Sequence, residues 1–312
     1  MCQKNKKQHK KGRHFAVPFF NFTLPIAIWA LVWYNCSIRQ SQKLLRVQFI
    51  QEKTMKITFI TGAANGLGTE FARLYAQDNN NLLLVDKDEQ GLLAVQQELQ
   101  QKHPELVVDT FVADLSQTEE LKRAYHYTVE KDYFVNNLVN GAGFGDRCDF
   151  KDMDIDKQLA MTNVNCNAVL YFTRVFLDNM LKHDEGHIIN VASIAAFMPA
   201  PYMCTYHATK SFVLLLGEAL SYEIRKTNVK LLTLCPGPFL SKFVELAHND
   251  YTFTKIKPIT AAKVAQIGYK KSLAGKSLYI IGGGNRLTIF ATRFVPRKLT
   301  TSISAKNMKK GD

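Results

Sequence analysis

The sequence lacks the cysteine spacing that a zinc cluster or a dithiol redox site requires, because its six cysteines are scattered along 312 residues. Scattered cysteines are typical of a reduced intracellular chain, and we expect no metal site. Helix-turn-helix, zinc and aromatic-basic reader motifs are also missing, so nucleic acid is not an expected partner. Hydrophobic residues make up 46% of the chain. That content is too high for a disordered protein.

The middle of the chain lacks the excess of positive charge that the whole chain has. The net charge is +13. Residues 1–54 carry ten Lys and Arg against one acid, and residues 286–312 carry seven against one. Residues 55–285 contain 23 bases and 25 acids. We therefore divide the chain into a basic N-terminal segment (1–54), a folded domain (55–285) and a basic tail (286–312).

The N-terminal segment allows two interpretations. Residues 15–38 contain no charge and are long enough to cross a bilayer as one helix, with Trp29 and Trp33 toward one end. In the first interpretation this is an uncleaved anchor, and the protein is bound to a membrane. In the second, residues 1–54 are an untranslated leader and the protein starts at Met55, because Met55 directly precedes a predicted strand. The protein is then cytoplasmic.

Short apolar segments alternate with longer amphipathic ones from residue 56 onward. The short segments are apolar on both faces, which is typical of parallel strands buried under helices. The alternation predicts right-handed βαβ units and a doubly wound α/β fold, with a seven-stranded, mostly parallel sheet between two helical layers. The predicted strands are Lys56–Ile60, Leu82–Val85, Val107–Val112, Asn136–Val139, His187–Val191, Val229–Leu234 and Leu278–Ile281.

A glycine-rich turn, TGAANGLG, follows the first predicted strand, and a helix is predicted from about Thr69. Three glycines at this place allow a tight turn and a close approach of the backbone to a pyrophosphate, while the helix N-terminus offers free N–H groups. The turn therefore indicates a dinucleotide site. Its candidate contacts are Thr61, Gly62, Asn65, Gly66, Leu67 and Gly68.

Two aspartates follow the next two predicted strands. Asp86 is placed to accept hydrogen bonds from ribose hydroxyls and to repel a 2′-phosphate, which favours NAD over NADP. Lys87 weakens this inference because it could bind that phosphate, and an aspartate here could also simply open a turn. Asp114 either accepts a proton from the adenine amino group or opens a turn.

Two further motifs stand at predicted strand ends. In NGAG, Asn140 can connect neighbouring strands through its amide, while Ala142 and Gly143 let the backbone pass close to a cofactor. In PGP, the rigid turn at Pro236 and Gly237 is expected to place a backbone edge beside a nicotinamide.

The YHATK segment carries the predicted acid–base chemistry. Tyr206 and Lys210 are four residues apart and share one face of a helix. A nearby ammonium is expected to lower the pKa of the phenol, so that Tyr206 can exchange a proton with a carbinol oxygen. Ser193 follows the fifth predicted strand, where its hydroxyl could hold that oxygen.

Residues 57–285 resemble the short-chain dehydrogenase/reductase family in its single-domain form. The matching motifs are TGAANGLG, VDKD, ADL, NGAG, NVASIAAF, YHATK and PGPF, in that order. The resemblance implies a Rossmann fold, NAD or NADP as cofactor, a homo-oligomer, and a catalytic tetrad in which Ser193, Tyr206 and Lys210 are joined by an asparagine. Asn165 fits that place better than Asn163 or Asn167 and would hold a proton-relaying water.

The same resemblance extends the cofactor site. The ADL and PGPF motifs add Leu115 and Phe239, and Ser241 stands where a threonine often contacts the nicotinamide amide. Gly141 stands where the family commonly has a second asparagine, so the bond that residue makes between strands is in doubt.

Apolar residues of the expected substrate loop, Phe239–Lys257, suit a lipophilic substrate, although such residues also fill cores. Phe144, Phe197, Met198 and Tyr202 approach it from other strand ends. The expected function is an NAD(P)-dependent oxidoreductase acting on a small-molecule secondary alcohol or ketone. The alternative is a non-catalytic, NAD(P)-binding sensor or scaffold at a membrane surface. Residues 286–310 are either an amphipathic helix on anionic lipid or a helix packed against the domain.

Overall fold

The computed structural model describes residues 54–240 and 259–308, and the structural statements that follow concern these residues. Seven parallel strands form the central sheet, and two short strands form a separate parallel pair. The seven are β1 (Met55–Thr61), β2 (Leu82–Asp86), β3 (Val108–Val112), β4 (Tyr133–Asn140), β5 (Gly186–Val191), β6 (Val229–Cys235) and β9 (Leu278–Ile280). The pair is β7 (Phe239–Leu240) and β8 (Ile259–Thr260).

Helices connect the strands. A π-helical turn (Asn163–Ala168) joins two of the helices, and a 3₁₀ turn (Ile194–Phe197) follows β5. The α-helices are α1 (Gly66–Gln77), α2 (Glu89–Lys102), α3 (Thr118–Glu130), α4 (Ile155–Thr162), α5 (Val169–His183), α6 (Cys204–Glu223), α7 (Ala261–Leu273), α8 (Gly283–Thr292) and α9 (Arg297–Met308).

Both faces of the sheet are covered, which confirms the predicted doubly wound fold. Residues of α1, α2 and α7 pack on one face, and residues of α3 and α5 pack on the other. Phe59 of β1 is fully buried, with its ring centroid 4.9 Å from those of Phe172 and Phe176. Strands enclosed in this way must be apolar on both sides, which is why their sequences read as continuous apolar runs.

The strand order is β3-β2-β1-β4-β5-β6-β9, so the chain reverses direction across the sheet between β1 and β4. In open parallel sheets, ligands bind beside such a reversal, at the carboxyl ends of the strands. The glycine-rich turn, Asp86, Asn140, Ser193 and Pro236 all lie at these ends or directly after them. The topology therefore brings the separate sequence motifs to one edge of the sheet.

Two predicted element boundaries are wrong by three residues. β4 begins at Tyr133 rather than Asn136. A bulge interrupts its pairing with β1, since Ile57 pairs with Val135 but Thr58 pairs with Asn137. The polar residues at the bulge hide the first half of the strand from a search for apolar runs. Helix α1 begins at Gly66 rather than Thr69, inside the glycine-rich turn.

No helix in the described part of the chain is both long and apolar enough to cross a membrane. Residues 15–38, where an anchor was predicted, lie outside that part. The predicted tail contains α9 and most of α8, with Pro296 between them.

Candidate active site

The glycine-rich turn between β1 and α1 leaves no room for side chains. Gly62 has φ +72°, and a Cβ atom on it would lie 2.8 Å from Ala142 Cα. A Cβ atom on Gly68 would lie 2.1 Å from the carbonyl oxygen of Gly62. Gly66 has φ +59° and begins α1 after the extended Asn65. The bare backbone and the helix N-terminus form a cradle of the kind that binds a pyrophosphate.

Thr61 connects this cradle to the end of β4. Its hydroxyl oxygen accepts hydrogen bonds from the backbone N–H groups of Gly141 and Ala142, both at 3.1 Å. A Cβ atom on Gly141 would lie 2.8 Å from the carbonyl oxygen of Thr61. Glycine at position 141, where the family commonly has asparagine, thus fits a turn that Thr61 already holds in place.

Asn140 connects β4 to β5, as its sequence context suggested. Its amide donates to Asn190 Oδ1 at 2.8 Å and to Thr173 Oγ1 at 3.1 Å, and all three side chains are buried. Hydrogen-bonded polar groups in a core specify one arrangement of the elements that carry them. The network fixes the carboxyl ends of the two central strands beside the site.

Asp86 faces the cradle. One carboxylate oxygen accepts from the N–H of Ala64 at 3.1 Å, and the other accepts from the N–H of Asp88 at 3.1 Å. The charge is thus held beside the glycine-rich turn, where the sequence predicts a ribose. Lys87 is exposed.

Asp114 of the ADL motif opens a turn, which was one of the two roles that its sequence context predicted. Asp114 is exposed, and its Oδ1 accepts from the N–H of Ser116 at 3.0 Å. Leu115 is buried in the core between the sheet and α3. This contact accounts for the position of Asp114 without reference to adenine.

Ser193, Tyr206 and Lys210 come together at the carboxyl end of β5. Ser193 precedes the 3₁₀ turn, where its hydroxyl accepts from the N–H of Ala195 at 3.1 Å and also hydrogen bonds to Tyr206. Lys210 lies one turn after Tyr206 on α6, with Nζ 5.9 Å from the centroid of the phenol ring. That Nζ donates to the carbonyl oxygen of Val191 at 2.9 Å, and the residue is only 5% exposed.

Burial dominates the acid–base properties of this group. It raises the pKa of Tyr206 to about 12, and the bond to Ser193 opposes that change. Burial also lowers the pKa of Lys210 to about 8, against an opposing effect of the Cys166 and Cys235 thiols. The sequence-based expectation of a lowered tyrosine pKa is therefore wrong in direction, because desolvation disfavours the charged form of both side chains.

Asn165 lies in the π-helical turn and is fully buried. Its amide makes a two-way contact with Phe144, accepting from the backbone N–H at 3.0 Å and donating to the carbonyl oxygen at 2.8 Å. A Cβ atom on Gly143 would lie 3.0 Å from Asn165 Oδ1 and 3.2 Å from Lys210 Nζ. Asn165 Oδ1 and Lys210 Nζ thus both lie against Gly143. Asn163 instead bonds to the carbonyl oxygen of Ser116, and Asn167 is exposed.

Two residues of the YHATK segment support the site in ways that sequence reasoning missed. Thr209 Oγ1 accepts from the Asn165 amide at 3.0 Å and donates to the carbonyl oxygen of Tyr206 at 2.8 Å. Buried His207 bonds through Nδ1 to the carbonyl oxygen of Met198 at 2.8 Å. The available signal was that both residues lie inside the motif, but Asn165 and Met198, which they contact, lie on other elements.

The PGPF segment lies next to Ser193. The carbonyl oxygen of Pro236 accepts from the N–H of Ile194 at 3.0 Å, which holds this turn beside Ser193. A Cβ atom on Gly237 would lie 2.7 Å from Asn285 Nδ2. Phe239 begins β7. Ser241 and most of the expected substrate loop lie outside the described residues.

Known proteins share the sequence pattern and the fold of this chain. The family model described as short chain dehydrogenase matches residues 56–252. An uncharacterized oxidoreductase of Staphylococcus saprophyticus is 32% identical over 182 residues, which cover 58% of this chain and 77% of that protein.

Two solved structures share the fold. A short-chain dehydrogenase from Sphingobium yanoikuyae in complex with NADPH has a TM-score of 0.68 and 21% identity, covering 77% of this chain and 93% of that one. A short-chain dehydrogenase/reductase from Burkholderia phymatum in complex with NAD has a TM-score of 0.67 and 23% identity, covering 84% of this chain and 99% of that one. At these identities the likeness shows the fold alone.

Proposed function

Because the chain belongs to the short-chain dehydrogenase family, and is thus an oxidoreductase, we propose that it interconverts a lipophilic secondary alcohol and its ketone with NAD as the preferred cofactor. The observation that carries the proposal is the meeting of Ser193, Tyr206 and Lys210 beside the glycine cradle. The non-catalytic alternative has no comparable support, since a sensor does not require this acid–base group.

The cradle fits a nicotinamide dinucleotide, because its backbone excludes every Cβ atom at the two places where a pyrophosphate needs close approach. Gly62, Gly66 and the N-terminus of α1 would hold the phosphates, and Asp86 would bind the adenosine ribose. A bound nicotinamide supplies or accepts a hydride at the substrate carbon. The position of Asp86 favours NAD over NADP. Two backbone N–H groups hold its carboxylate in place, and this negative charge repels a 2′-phosphate.

Tyr206 is the proposed proton donor and acceptor for the substrate oxygen. With a pKa of about 12 its phenol holds a proton at neutral pH, which is the form that donates to the oxygen of a ketone. Ser193 both hydrogen bonds to Tyr206 and lies at the start of the 3₁₀ turn, so its hydroxyl can position that oxygen. Lys210, where charged, stabilises the phenolate that remains.

The proposed substrate mouth lies between three backbone segments that hydrogen bonds hold in place. Asn165 fixes Phe144, and His207 fixes Met198. The carbonyl oxygen of Tyr202 accepts from the N–H of Cys148 at 2.9 Å. The side chains at positions 144, 198 and 202 are half-buried, as is that of Phe197. Apolar and aromatic side chains at an opening suit a lipophilic substrate.

The proposal is tested by Tyr206→Phe, which removes one hydroxyl and keeps the ring. Turnover of a panel of ketones with NADH should fall about 10²- to 10⁴-fold, because the proton donor is lost. The dissociation constant for NADH, measured by fluorescence titration, should stay the same. The matched control is Tyr222→Phe on the same helix, at an exposed position. Wild-type turnover in Tyr206→Phe would refute the assignment.

A further inference from the structure

The outer face of α8 exposes a row of apolar side chains. Leu287 is 70% exposed, Phe290 55% and Phe294 75%. Their spacing of three and four residues places them on one side of the helix and its continuation, with the rings of Phe290 and Phe294 5.3 Å apart. Ile289, on the opposite side, is buried against the domain. The outer face therefore presents apolar groups that the fold of this chain does not cover.

Helix α9 repeats the arrangement. Leu299 and Ile303, four residues apart, are each 51% exposed. Thr300 and Ser304, on the neighbouring face of the helix, are buried. The smaller polar residues of α9 thus face the domain, while its larger apolar residues face outward. This is the reverse of the usual distribution on a surface helix.

The charge around these apolar residues has one sign. Residues 286–308 contain five bases and no acid. Arg293, Arg297 and Lys298 are exposed at the junction of the two helices. None of them takes part in an ion pair with another described residue. The surface combines aromatic groups with bases that no described acid neutralises.

The two helices border the candidate active site. Helix α8 packs against the 3₁₀ turn that follows Ser193, and its Asn285 lies beside Gly237. The backbone of α9 is held by Arg147, whose Nε donates to the carbonyl oxygen of Met308 at 2.7 Å. Arg147 belongs to the same segment as Phe144 of the proposed mouth. A partner that covers the outer face would thus lie next to the entrance.

We propose that α8 and α9 form a docking surface for an anionic lipid bilayer, which places the substrate entrance at the membrane surface. Apolar side chains flanked by Lys and Arg fit this partner, because the rings enter the acyl boundary while the bases meet the headgroups. A second copy of the chain fits poorly, since pairing these faces would bring two sets of five bases together. The docking surface contains no catalytic residue, and only the position of the substrate entrance rests on the proposed function.

The experiment measures the insertion of a single side chain of the full chain into a lipid bilayer. Both tryptophans, Trp29 and Trp33, lie outside the described residues. Replacing them by phenylalanine and introducing Phe294→Trp leaves a single indole on the surface in question. With vesicles of phosphatidylglycerol and phosphatidylcholine, its emission should shift to the blue and be quenched by brominated lipid. Pure phosphatidylcholine should give neither effect.

The matched control moves the indole to another exposed position. Leu215→Trp in the same background places it on α6, where Leu215 is 66% exposed, and its emission should not respond to the vesicles. A triple variant should lower the affinity of the protein for the vesicles, read from the indole at position 294, about 100-fold. It combines Arg293→Gln, Arg297→Gln and Lys298→Gln, and each base contributes about fivefold near an anionic surface.

Three outcomes would overturn the proposal. The first is equal quenching of the indoles at positions 294 and 215. The second is no response at position 294. The third is a blue shift at position 294 that grows with protein concentration in the absence of lipid, since that would identify a second copy as the occupant. None of these readings needs cofactor or substrate, so failure here would leave the oxidoreductase proposal standing.

Discussion

Replacing Lys210 by methionine should remove a pH dependence from the stability of the fold. Lys210 is 5% exposed, and burial lowers its pKa from 10.5 to about 8. In the unfolded chain the same side chain keeps its proton up to about pH 10.5. Between these values the unfolded state binds more protons than the folded state. The free energy of unfolding must therefore rise with pH across this range.

The magnitude follows from the same two values. A fall of the pKa from 10.5 to about 8 corresponds to about 3 kcal/mol of destabilisation at pH 7, where the folded protein carries the charge in its core. Between pH 7 and pH 9.5 roughly 2 kcal/mol of this should be recovered. Methionine fills a similar volume and does not titrate. It also leaves the carbonyl oxygen of Val191 without its donor, at a cost that does not change with pH.

The assay is urea unfolding of wild type and Lys210→Met at several pH values from 7 to 9.5. The difference between the two free energies isolates Lys210 from the other titrating groups. It should change by roughly 2 kcal/mol, in the direction that favours wild type as pH rises. The matched control is Lys230→Met, which removes a half-buried lysine that also donates to a backbone carbonyl. A Lys210 profile that coincides with the control profile, or slopes the other way, would refute the reasoning.

Two further substitutions test the cofactor cradle. Gly68→Ala should destabilise the fold by about 2–3 kcal/mol in urea unfolding, since its methyl group would meet the carbonyl oxygen of Gly62 at 2.1 Å. Gly284→Ala, where no atom lies within 4 Å of the added carbon, is the control and should be neutral or slightly stabilising; equal effects would contradict the steric argument. Asp86→Asn should lower the ratio of kcat/KM with NAD to kcat/KM with NADP by at least about tenfold. Asp88→Asn should leave the ratio unchanged, and an unchanged ratio in Asp86→Asn would show that the carboxylate does not select the cofactor.

The fold could be predicted because its signals are local. Strands such as Leu82–Asp86 are buried on both faces, so their apolar runs are visible without knowledge of their neighbours. The first half of β4 could not be predicted, since it depends on a bulge opposite Ile57 and Thr58. A bulge is a property of two paired strands, and one strand's sequence does not reveal it.

The site divides in the same way. Tyr206 and Lys210 are joined by helical spacing, so the sequence alone places them together. The contacts of Asn165 with Phe144, and of His207 with Met198, join residues that are separated along the chain. The direction of the tyrosine pKa also escaped the sequence, because burial raises this pKa and burial is set by the whole fold.

The two perturbed pKa values together bear on the pH dependence of the proposed reaction. A tyrosine with a pKa of about 12 holds its proton more tightly than a lysine with a pKa of about 8. Near neutral pH the pair therefore rests as a neutral phenol beside an ammonium. This is the state that donates a proton to a ketone and then stabilises the phenolate left behind. Above about pH 8 the lysine loses its charge and that stabilisation weakens. We therefore expect the proposed reduction of a ketone to slow as pH rises above about 8.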